Sequence, residues 1–132
     1  MEKVFIDTGA FYALADTSEG TNHTHAKSLF HETKFVWYSS NYVFDELATL
    51  LLYRTSKRIA IQFCEAIRAS EKIVWFYLKE EDEQNGFELF RDFKDKEWSF
   101  TDCTTNILLK KHRIEKIFTF DKHFKQMGFV TV

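Results

Sequence analysis

Four acidic residues stand directly after a predicted strand or in the first turns of the helix that follows one. They are Asp7, Glu46, Asp102 and Asp121. Because the carboxyl ends of parallel strands lie along one edge of a sheet, these side chains are expected to lie close together. Taken singly, an acid after a strand is usually a helix N-cap, and a helical glutamate usually faces solvent. The recurrence of an acid at the same end of several strands is what indicates a shared site.

Carboxylates crowded at one edge repel one another, which favours protonation or the binding of a cation. Hard divalent cations such as Mg²⁺ and Mn²⁺ take oxygen ligands, keep several waters and recruit substrate phosphates. Such a site can deprotonate a water molecule and stabilise an in-line displacement at phosphorus, with one ion or with two. The chemistry predicted for this edge is therefore metal-dependent attack of water on a phosphodiester.

The first of these acids ends a short apolar run from Val4 to Ile6 and is followed by Thr8 and Gly9. The run is typical of a strand that is buried on both faces. Asp7 is then expected to lie at the carboxyl end of this strand, where the chain leaves the core. Because burying its carboxylate without a partner would be costly, a cationic partner is expected there.

Strands and helices alternate along the chain. Apolar and β-branched runs predict five strands, and segments with apolar residues at helical spacing lie between them. The predicted strands are 3–6, 35–38, 73–77, 116–119 and an edge strand at 129–132. The predicted helices are 10–14, 22–32 with Asn22 as N-cap, 42–53, a helix from Ser56 or Lys57 to Ala69, 80–95 and 99–112, with a short helix near 120–124. This order predicts an α/β fold: a three-layer α/β/α sandwich with a central, mainly parallel sheet.

The composition limits the class of protein. With 132 residues, 45% of them hydrophobic, the chain is expected to form a single domain over residues 1–132. A formal net charge of −2 gives no overall attraction for nucleic acid, so an RNA partner would have to be met by a local basic patch. Cys64 and Cys103 lack metal-site spacing and are interpreted as reduced thiols. Since no signal segment and no membrane-length apolar run is seen, a cytoplasmic location without a membrane partner is expected.

Five segments resemble those of PIN-domain ribonucleases, and in particular the VapC-type toxins. They are residues 4–14 (VFIDTGAFYAL), 22–26 (NHTHA), 40–46 (SNYVFDE), 99–103 (SFTDC) and 119–124 (TFDKHF). The resemblance spans nearly the whole chain, and its last two motifs are fairly specific.

This resemblance implies an α/β/α sandwich that cleaves single-stranded RNA with Mg²⁺ or Mn²⁺, forms homodimers and often has a small antitoxin protein as its partner. Carried over motif by motif, it makes Asp7, Glu46, Asp102 and Asp121 the metal ligands and catalytic residues. None of the expected acids is missing, which argues against a degenerate member that only binds. The expected function is a metal-dependent endoribonuclease, the toxin of a toxin–antitoxin pair. The nearest alternative is an RNA-processing nuclease without a toxin role.

Several other residues have weaker claims on the site. Thr8 and Ser99 are candidates for hydrogen bonds to the carboxylates or to phosphate, with local helix capping an equally good interpretation for Ser99. Asp45 adjoins Glu46, but adjacent helical residues point about 100° apart, so only one of them faces the site well. The motif favours Glu46. His123 is interpreted as a surface residue rather than a phosphate contact.

The remaining charged and polar groups are expected to be structural or solvated. His23 and His25 have no third ligand near them, which favours capping and packing over a metal pair. The acidic run from Glu80 to Glu83 is expected to be a solvated helix start, and Thr119 is expected to be structural. Two basic groups are candidates for holding an RNA backbone: Lys110, Lys111, Arg113 and Lys116, and then Arg54, Lys57 and Arg58.

A phosphotransfer or receiver-like domain that uses Asp7 as a nucleophile is the alternative from another class. A haloacid-dehalogenase-like phosphatase would need a second Asp two residues after the first, where this chain has Gly9. A receiver-like domain would need an acid after the third strand, where this chain has Tyr77-Leu78-Lys79. Both departures favour the nuclease.

Overall fold

The computed structural model describes residues 1–132 and has one five-stranded sheet at its centre. The strands are β1 (Glu2–Ile6), β2 (Phe35–Ser40), β3 (Ile73–Phe76), β4 (Lys116–Phe118) and β5 (Val130–Thr131). Every neighbouring pair of strands is parallel, and their order across the sheet is β3-β2-β1-β4-β5. The predicted α/β fold with a central parallel sheet is therefore confirmed.

Seven α-helices and one short 3₁₀ helix connect the strands. They are α1 (Thr8–Ala15), the 3₁₀ helix (Thr17–Glu19), α2 (Thr21–Phe30), α3 (Asn41–Arg54), α4 (Lys57–Ala69), α5 (Glu80–Asp92), α6 (Phe100–Lys111) and α7 (His123–Gln126). Helices α1 to α4 pack against one another, and α6 packs against both α5 and α7. Since parallel crossovers are right-handed, the two groups cover opposite faces of the sheet and give three layers. No helix combines the length and the apolar character needed to cross a membrane.

Strand β2 extends further than its sequence predicts, through Ser39 and Ser40, which have no exposed area. The Ser39 hydroxyl donates a hydrogen bond to the Ile6 carbonyl at 3.0 Å, and the Ser40 hydroxyl accepts one from the Val43 N–H at 3.2 Å. Serines that predict a turn can therefore end a strand when the neighbouring strand and the next helix bond their hydroxyls. Elsewhere the boundaries shift by a few residues; Asn22, the predicted N-cap of α2, lies inside that helix.

The central strand β1 is the most deeply buried element of the sheet. Val4, Phe5 and Ile6 have no exposed area, and the strand pairs with β2 on one side and β4 on the other. The N–H of Asp7 still bonds to the Phe118 carbonyl on β4, at 3.1 Å. The chain moves outwards from β1 through β2 to β3 and then crosses back to β4, so the sheet has its topological switch point between β1 and β4. A crevice forms at the carboxyl end of such a switch point, which is where Asp7 lies.

Helix α5 begins with a buried acid. Asp82 is 2% exposed; its carboxylate accepts the Lys79 N–H at 3.0 Å and forms an ion pair with Nζ of Lys111 on α6, also at 3.0 Å. The prediction that the run from Glu80 to Glu83 is a solvated helix start is therefore wrong for Asp82. The ion pair links the start of α5 to the end of α6.

Helices α5 and α6 also approach closely at Gly86. A Cβ added at this glycine would lie 2.9 Å from Cγ2 and 3.3 Å from Cα of Thr104, which is fully buried. A helix interior tolerates glycine poorly, at a cost of about 1 kcal/mol relative to alanine. The close approach of the two helices explains why glycine occupies this position.

Replacing Gly86 by Ala is expected to destabilise the fold although Ala favours a helix. The added methyl group would have to displace Thr104, and overpacking of this kind costs about 1–3 kcal/mol. Gly9→Ala is the matched control, because Gly9 is also helical and a Cβ there would meet nothing within 4 Å. Urea unfolding should give Gly86→Ala a lower free energy of unfolding than the wild type, and Gly9→Ala an equal or higher one. The opposite order would contradict the close packing of α5 on α6.

Candidate active site

A cavity of about 670 Å³ opens at the switch point of the sheet. Five of the residues that line it carry carboxylates: Asp7, Glu46, Glu97, Asp102 and Asp121. The structure thus brings all four predicted acids to one place and adds Glu97, which the sequence analysis missed. Glu97 lies three residues before α6, close in sequence to the motif that carries Asp102. This proximity is the feature of the sequence that could have indicated Glu97 as a cavity residue.

Each of the four predicted acids is carried by a different part of the fold. Asp7 directly follows β1, and Asp121 lies three residues beyond the end of β4. Asp102 is in the first turn of α6, where the N-cap Ser99 hydroxyl accepts the Asp102 N–H at 3.0 Å. This bond makes Ser99 a local cap, and Ser99 also lines the cavity, so a contact with phosphate stays a prediction. Glu46 lies in the second turn of α3.

Of the two adjacent acids on α3, only one lines the cavity. Glu46 is partly buried and contributes to the wall, whereas Asp45 is exposed and does not. This is the arrangement expected when neighbouring helical residues point about 100° apart.

Asp7 is the most deeply buried of the cavity acids, with 5% of its surface exposed. Its Oδ2 accepts a hydrogen bond from the Thr119 hydroxyl at 3.0 Å, and no lysine, arginine or histidine forms an ion pair with it. Burial, together with the negative charges of Asp102 and Glu46, raises the pKa of Asp7 to about 7. The cationic partner expected for Asp7 is therefore not a side chain of this protein.

Asp102, Asp121 and His123 form a tight cluster on another wall of the cavity. Nδ1 of His123 lies 3.2 Å from Oδ2 of Asp102 and 3.2 Å from Oδ2 of Asp121. The His123 N–H donates to Oδ1 of Asp121 at 2.9 Å. Burial raises the pKa of Asp102, and its hydrogen bond with His123 opposes that rise. The interpretation of His123 as a surface residue is wrong, because its side chain is 20% exposed and lies against two of the predicted acids.

Thr119 connects two of the acids. Its hydroxyl donates to Asp7 and accepts the N–H of Asp121 at 3.0 Å, and the residue is 6% exposed. Thr8 also lines the cavity and is 4% exposed, but its buried hydroxyl has no hydrogen-bond partner. The side-chain bond to a carboxylate that the sequence suggested for Thr8 is made by Thr119 instead.

The first predicted basic group lies away from the cavity. Helix α6 begins beside the cavity and carries Lys111 at its far end, where this lysine pairs with Asp82. Lys116 pairs with Glu2 at 3.0 Å, at the amino ends of β4 and β1. The lysine that does line the cavity is Lys122.

The histidines of α2 have packing roles, as the sequence analysis favoured. Nδ1 of His23 lies 2.8 Å from the Ala13 carbonyl oxygen. The ring of His25 packs edge-on against Phe118 and Phe120, with centroid distances of 5.7 and 6.2 Å.

The family of this chain follows from its similarity to known protein families. The PIN-domain family model matches residues 4–130. This chain belongs to the PIN-domain family. Over 129 residues it is 31% identical to the 23S rRNA-specific endonuclease VapC20 of Mycobacterium tuberculosis (strain H37Rv), covering 98% of this PIN domain and 97% of the relative.

Solved structures with a similar fold agree with this assignment. The crystal structure of Mycobacterium tuberculosis VapC20, a sarcin-ricin loop cleaving toxin, matches with a TM-score of 0.90 at 30% identity and covers 98% of both chains. VapBC2 from Rickettsia felis, bound to a DNA fragment from its promoter, matches with a TM-score of 0.72 at 10% identity, covering 98% of this chain and 97% of that one. At so low an identity the second match shows the fold alone.

Replacing Asp7 by Asn is expected to change how the stability of the metal-free PIN domain depends on pH. With a native pKa of about 7 against an ordinary value of 3.8, Asp7 contributes stability that is fully present below the unfolded pKa and is lost as the pH rises through the folded pKa. Asn keeps an acceptor for Thr119 but cannot ionise. In EDTA, the melting temperature of the wild type should therefore fall from about pH 5 to about pH 8 more than that of Asp7→Asn.

Asp45→Asn is the control for this measurement, because Asp45 is exposed and lies outside the cavity. It should follow the wild type across the whole pH range. Parallel curves for the wild type and Asp7→Asn would contradict the raised pKa of Asp7.

Proposed function

We propose that this PIN-domain protein is a metal-dependent endoribonuclease that cleaves single-stranded RNA and acts as the toxin of a toxin–antitoxin pair. The observation that carries the proposal is that Asp7, Glu46, Asp102 and Asp121 line one cavity, in which no basic side chain forms an ion pair with Asp7. The similarity to VapC20, a 23S rRNA-specific endonuclease, extends over almost the whole of both chains and supports RNA as the substrate.

The donor set of the cavity fits Mg²⁺ or Mn²⁺, with the four acids as the proposed ligands. Carboxylate and hydroxyl oxygens dominate the polar groups of the wall, and neither Cys64 nor Cys103 contributes to it. A divalent cation would offset the repulsion that helps to raise the pKa of Asp7. When bound, such an ion lowers the pKa of a coordinated water and stabilises the charge that develops on the phosphate during an in-line displacement.

The residues of the chain fix the carboxylates in place. Thr119 holds Oδ2 of Asp7, and the N–H of His123 holds Oδ1 of Asp121. Side chains fixed in this way lose little freedom when a metal or a substrate binds, which favours productive orientation of the attacking water.

The rim of the cavity has the features of a single-stranded RNA site. Phe120 lines the cavity with 42% of its surface exposed, and Phe118 supports it edge to face at a centroid distance of 5.5 Å. An exposed, supported aromatic ring can stack on an unpaired base. Lys122, two residues further on, supplies a positive charge for the RNA backbone where the net charge of the chain supplies none.

The order of the strands argues against the receiver-like alternative. Receiver and flavodoxin-like sheets have the order 2-1-3-4-5, whereas this sheet has the order β3-β2-β1-β4-β5. An RNA-processing nuclease without a toxin role would use the same cavity, so it differs from the proposal in its partners and not in its chemistry.

The proposed partners would bind exposed apolar surface. A groove of about 280 Å³ between α3 and α4 is lined mainly by apolar residues, among them Phe44 and Ile61. We assign this groove to an amphipathic helix of a small antitoxin. Phe87, Phe90 and Phe93 on α5 and just after it are 53%, 45% and 43% exposed. We assign this second surface to a homodimer contact, since contiguous exposed apolar patches mark interaction sites.

Cleavage of a labelled single-stranded RNA should require Mg²⁺ or Mn²⁺ and should leave 5′-phosphate and 3′-hydroxyl ends. Asp102→Asn removes a charge at nearly constant size, so turnover should fall by roughly 10²-fold or more. Glu46→Gln should be far more damaging than Asp45→Asn, the matched control on the same helix. Circular dichroism of each variant checks its fold. Cleavage that persists in excess EDTA, or in Asp102→Asn, would refute the assignment of this cavity as a metal-dependent active site.

The two proposed interfaces should be disrupted independently by single substitutions. Light scattering should show a dimer for the wild type and a monomer for Phe90→Glu, because a charge in the α5 surface would oppose burial. Expression of the wild type alone should arrest growth, and a small protein encoded next to it should restore growth. Ile61→Glu should remain dimeric and toxic but should escape this rescue. A monomeric wild type that cleaves RNA yet is harmless in cells would overturn the dimer and the toxin role and leave the nuclease intact.

A further inference from the structure

His123 occupies an unusual position among the acids of the cavity. It is the first residue of α7, and its N–H bonds to Oδ1 of Asp121, which leaves Oδ2 of that carboxylate facing the imidazole. On its other side the same ring nitrogen, Nδ1, faces Oδ2 of Asp102. One nitrogen and two carboxylate oxygens from three side chains thus converge at the cavity wall.

The distances within this cluster match those between ligands that share an ion. Two ligands at right angles around one ion, with bonds of about 2.1 Å, are about 3.0 Å apart. Nδ1 lies 3.2 Å from each of the two carboxylate oxygens, and one ligand atom from each residue can be chosen so that all lie within 4.8 Å of one another. Nδ1 also lies within hydrogen-bonding distance of Asp102. The spacing therefore fits joint ligation of one ion as well as it fits a hydrogen bond from Nδ1.

We infer that His123 is a metal ligand of this site, so that an ion is held by its Nδ1 together with Asp102 and Asp121, and that the nitrogen makes the site select Mn²⁺ over Mg²⁺. This rests on the proposed metal-dependent function and specifies the metal. Mg²⁺ prefers a shell of oxygen ligands, whereas imidazole suits first-row transition ions. A site with four carboxylates alone would not distinguish the two ions in this way.

A second feature of the cavity also points to a ligand there. The hydroxyl of Thr8 is buried, lines the cavity and has no partner within the protein. Buried hydroxyls are normally hydrogen-bonded, so this one is available to a water or phosphate that accompanies an ion. Asp7 also lines the cavity and forms no ion pair with a basic side chain.

Pulsed electron paramagnetic resonance of the Mn²⁺-loaded protein tests the inference directly. A nitrogen bound to Mn²⁺ gives a hyperfine coupling that oxygen ligands do not give. The coupling should be present in the wild type and absent in His123→Ala. His31→Ala is the matched control, because His31 is exposed and lines a different cavity, at the amino ends of the strands. It should keep the coupling.

Isothermal titration with each ion gives the second readout. His123→Ala should bind Mn²⁺ roughly 10-fold or more weakly, while its affinity for Mg²⁺ should change by less than about 3-fold. His123→Asp, which restores an oxygen ligand and keeps the backbone bond to Asp121, should bind both ions but lose the preference for Mn²⁺ and the nitrogen coupling. Thermal unfolding shows that each variant is folded.

The outcomes separate this inference from the proposed function. Mn²⁺ that binds the wild type with no nitrogen coupling, and no more tightly than Mg²⁺, would overturn ligation by His123. If Asp102→Asn still abolished metal binding and RNA cleavage in that case, the nuclease proposal would stand. A wild type that binds neither ion would overturn both.

Discussion

Asp7 lies at the end of the central strand with its carboxylate almost completely buried and without a side-chain cation. This position follows from the topology of the sheet. Strand β1 has a neighbour on each side, and the successive strands are added on one side of β1 up to β3 and on its other side from β4 onwards. Burial and the charges of Asp102 and Glu46 raise the pKa of Asp7 to about 7. Burying this carboxylate near other acids has an electrostatic cost, which the burial of the apolar strand and its surroundings offsets.

The rest of the fold keeps the other acids close to this carboxylate. Helix α3 begins directly after β2 and helix α6 begins beside the cavity, and the hydroxyls of Ser40 and Ser99 cap their first turns. An acid in the first turn of a helix is favoured by the helix dipole, which partly compensates the repulsion among the carboxylates. Thr119 then ties the end of β4 to Asp7 by a side-chain hydrogen bond.

The position of α6 depends on contacts outside the cavity. The ion pair between Asp82 and Lys111 and the close approach at Gly86 fix α6 against α5. Asp102 lies two residues before Thr104 and at the opposite end of α6 from Lys111, so these contacts also set the place of a proposed metal ligand. The fold thus holds its repelling acids together through packed helices and through bonds to Thr119 and His123, and not through bonds between the carboxylates.

The sequence alone determined the alternation of strands and helices, the buried central strand and the four acids, because each depends on a local pattern or on the end of a strand. It could not determine which other side chains reach the same space. His123 and Glu97 are near cavity acids in sequence, but only the packing of α7 and of the loop before α6 turns them into the cavity. Likewise, the burial of Asp82 depends on Lys111, 29 residues away. Such partners come together through long-range packing, which no short stretch of sequence encodes.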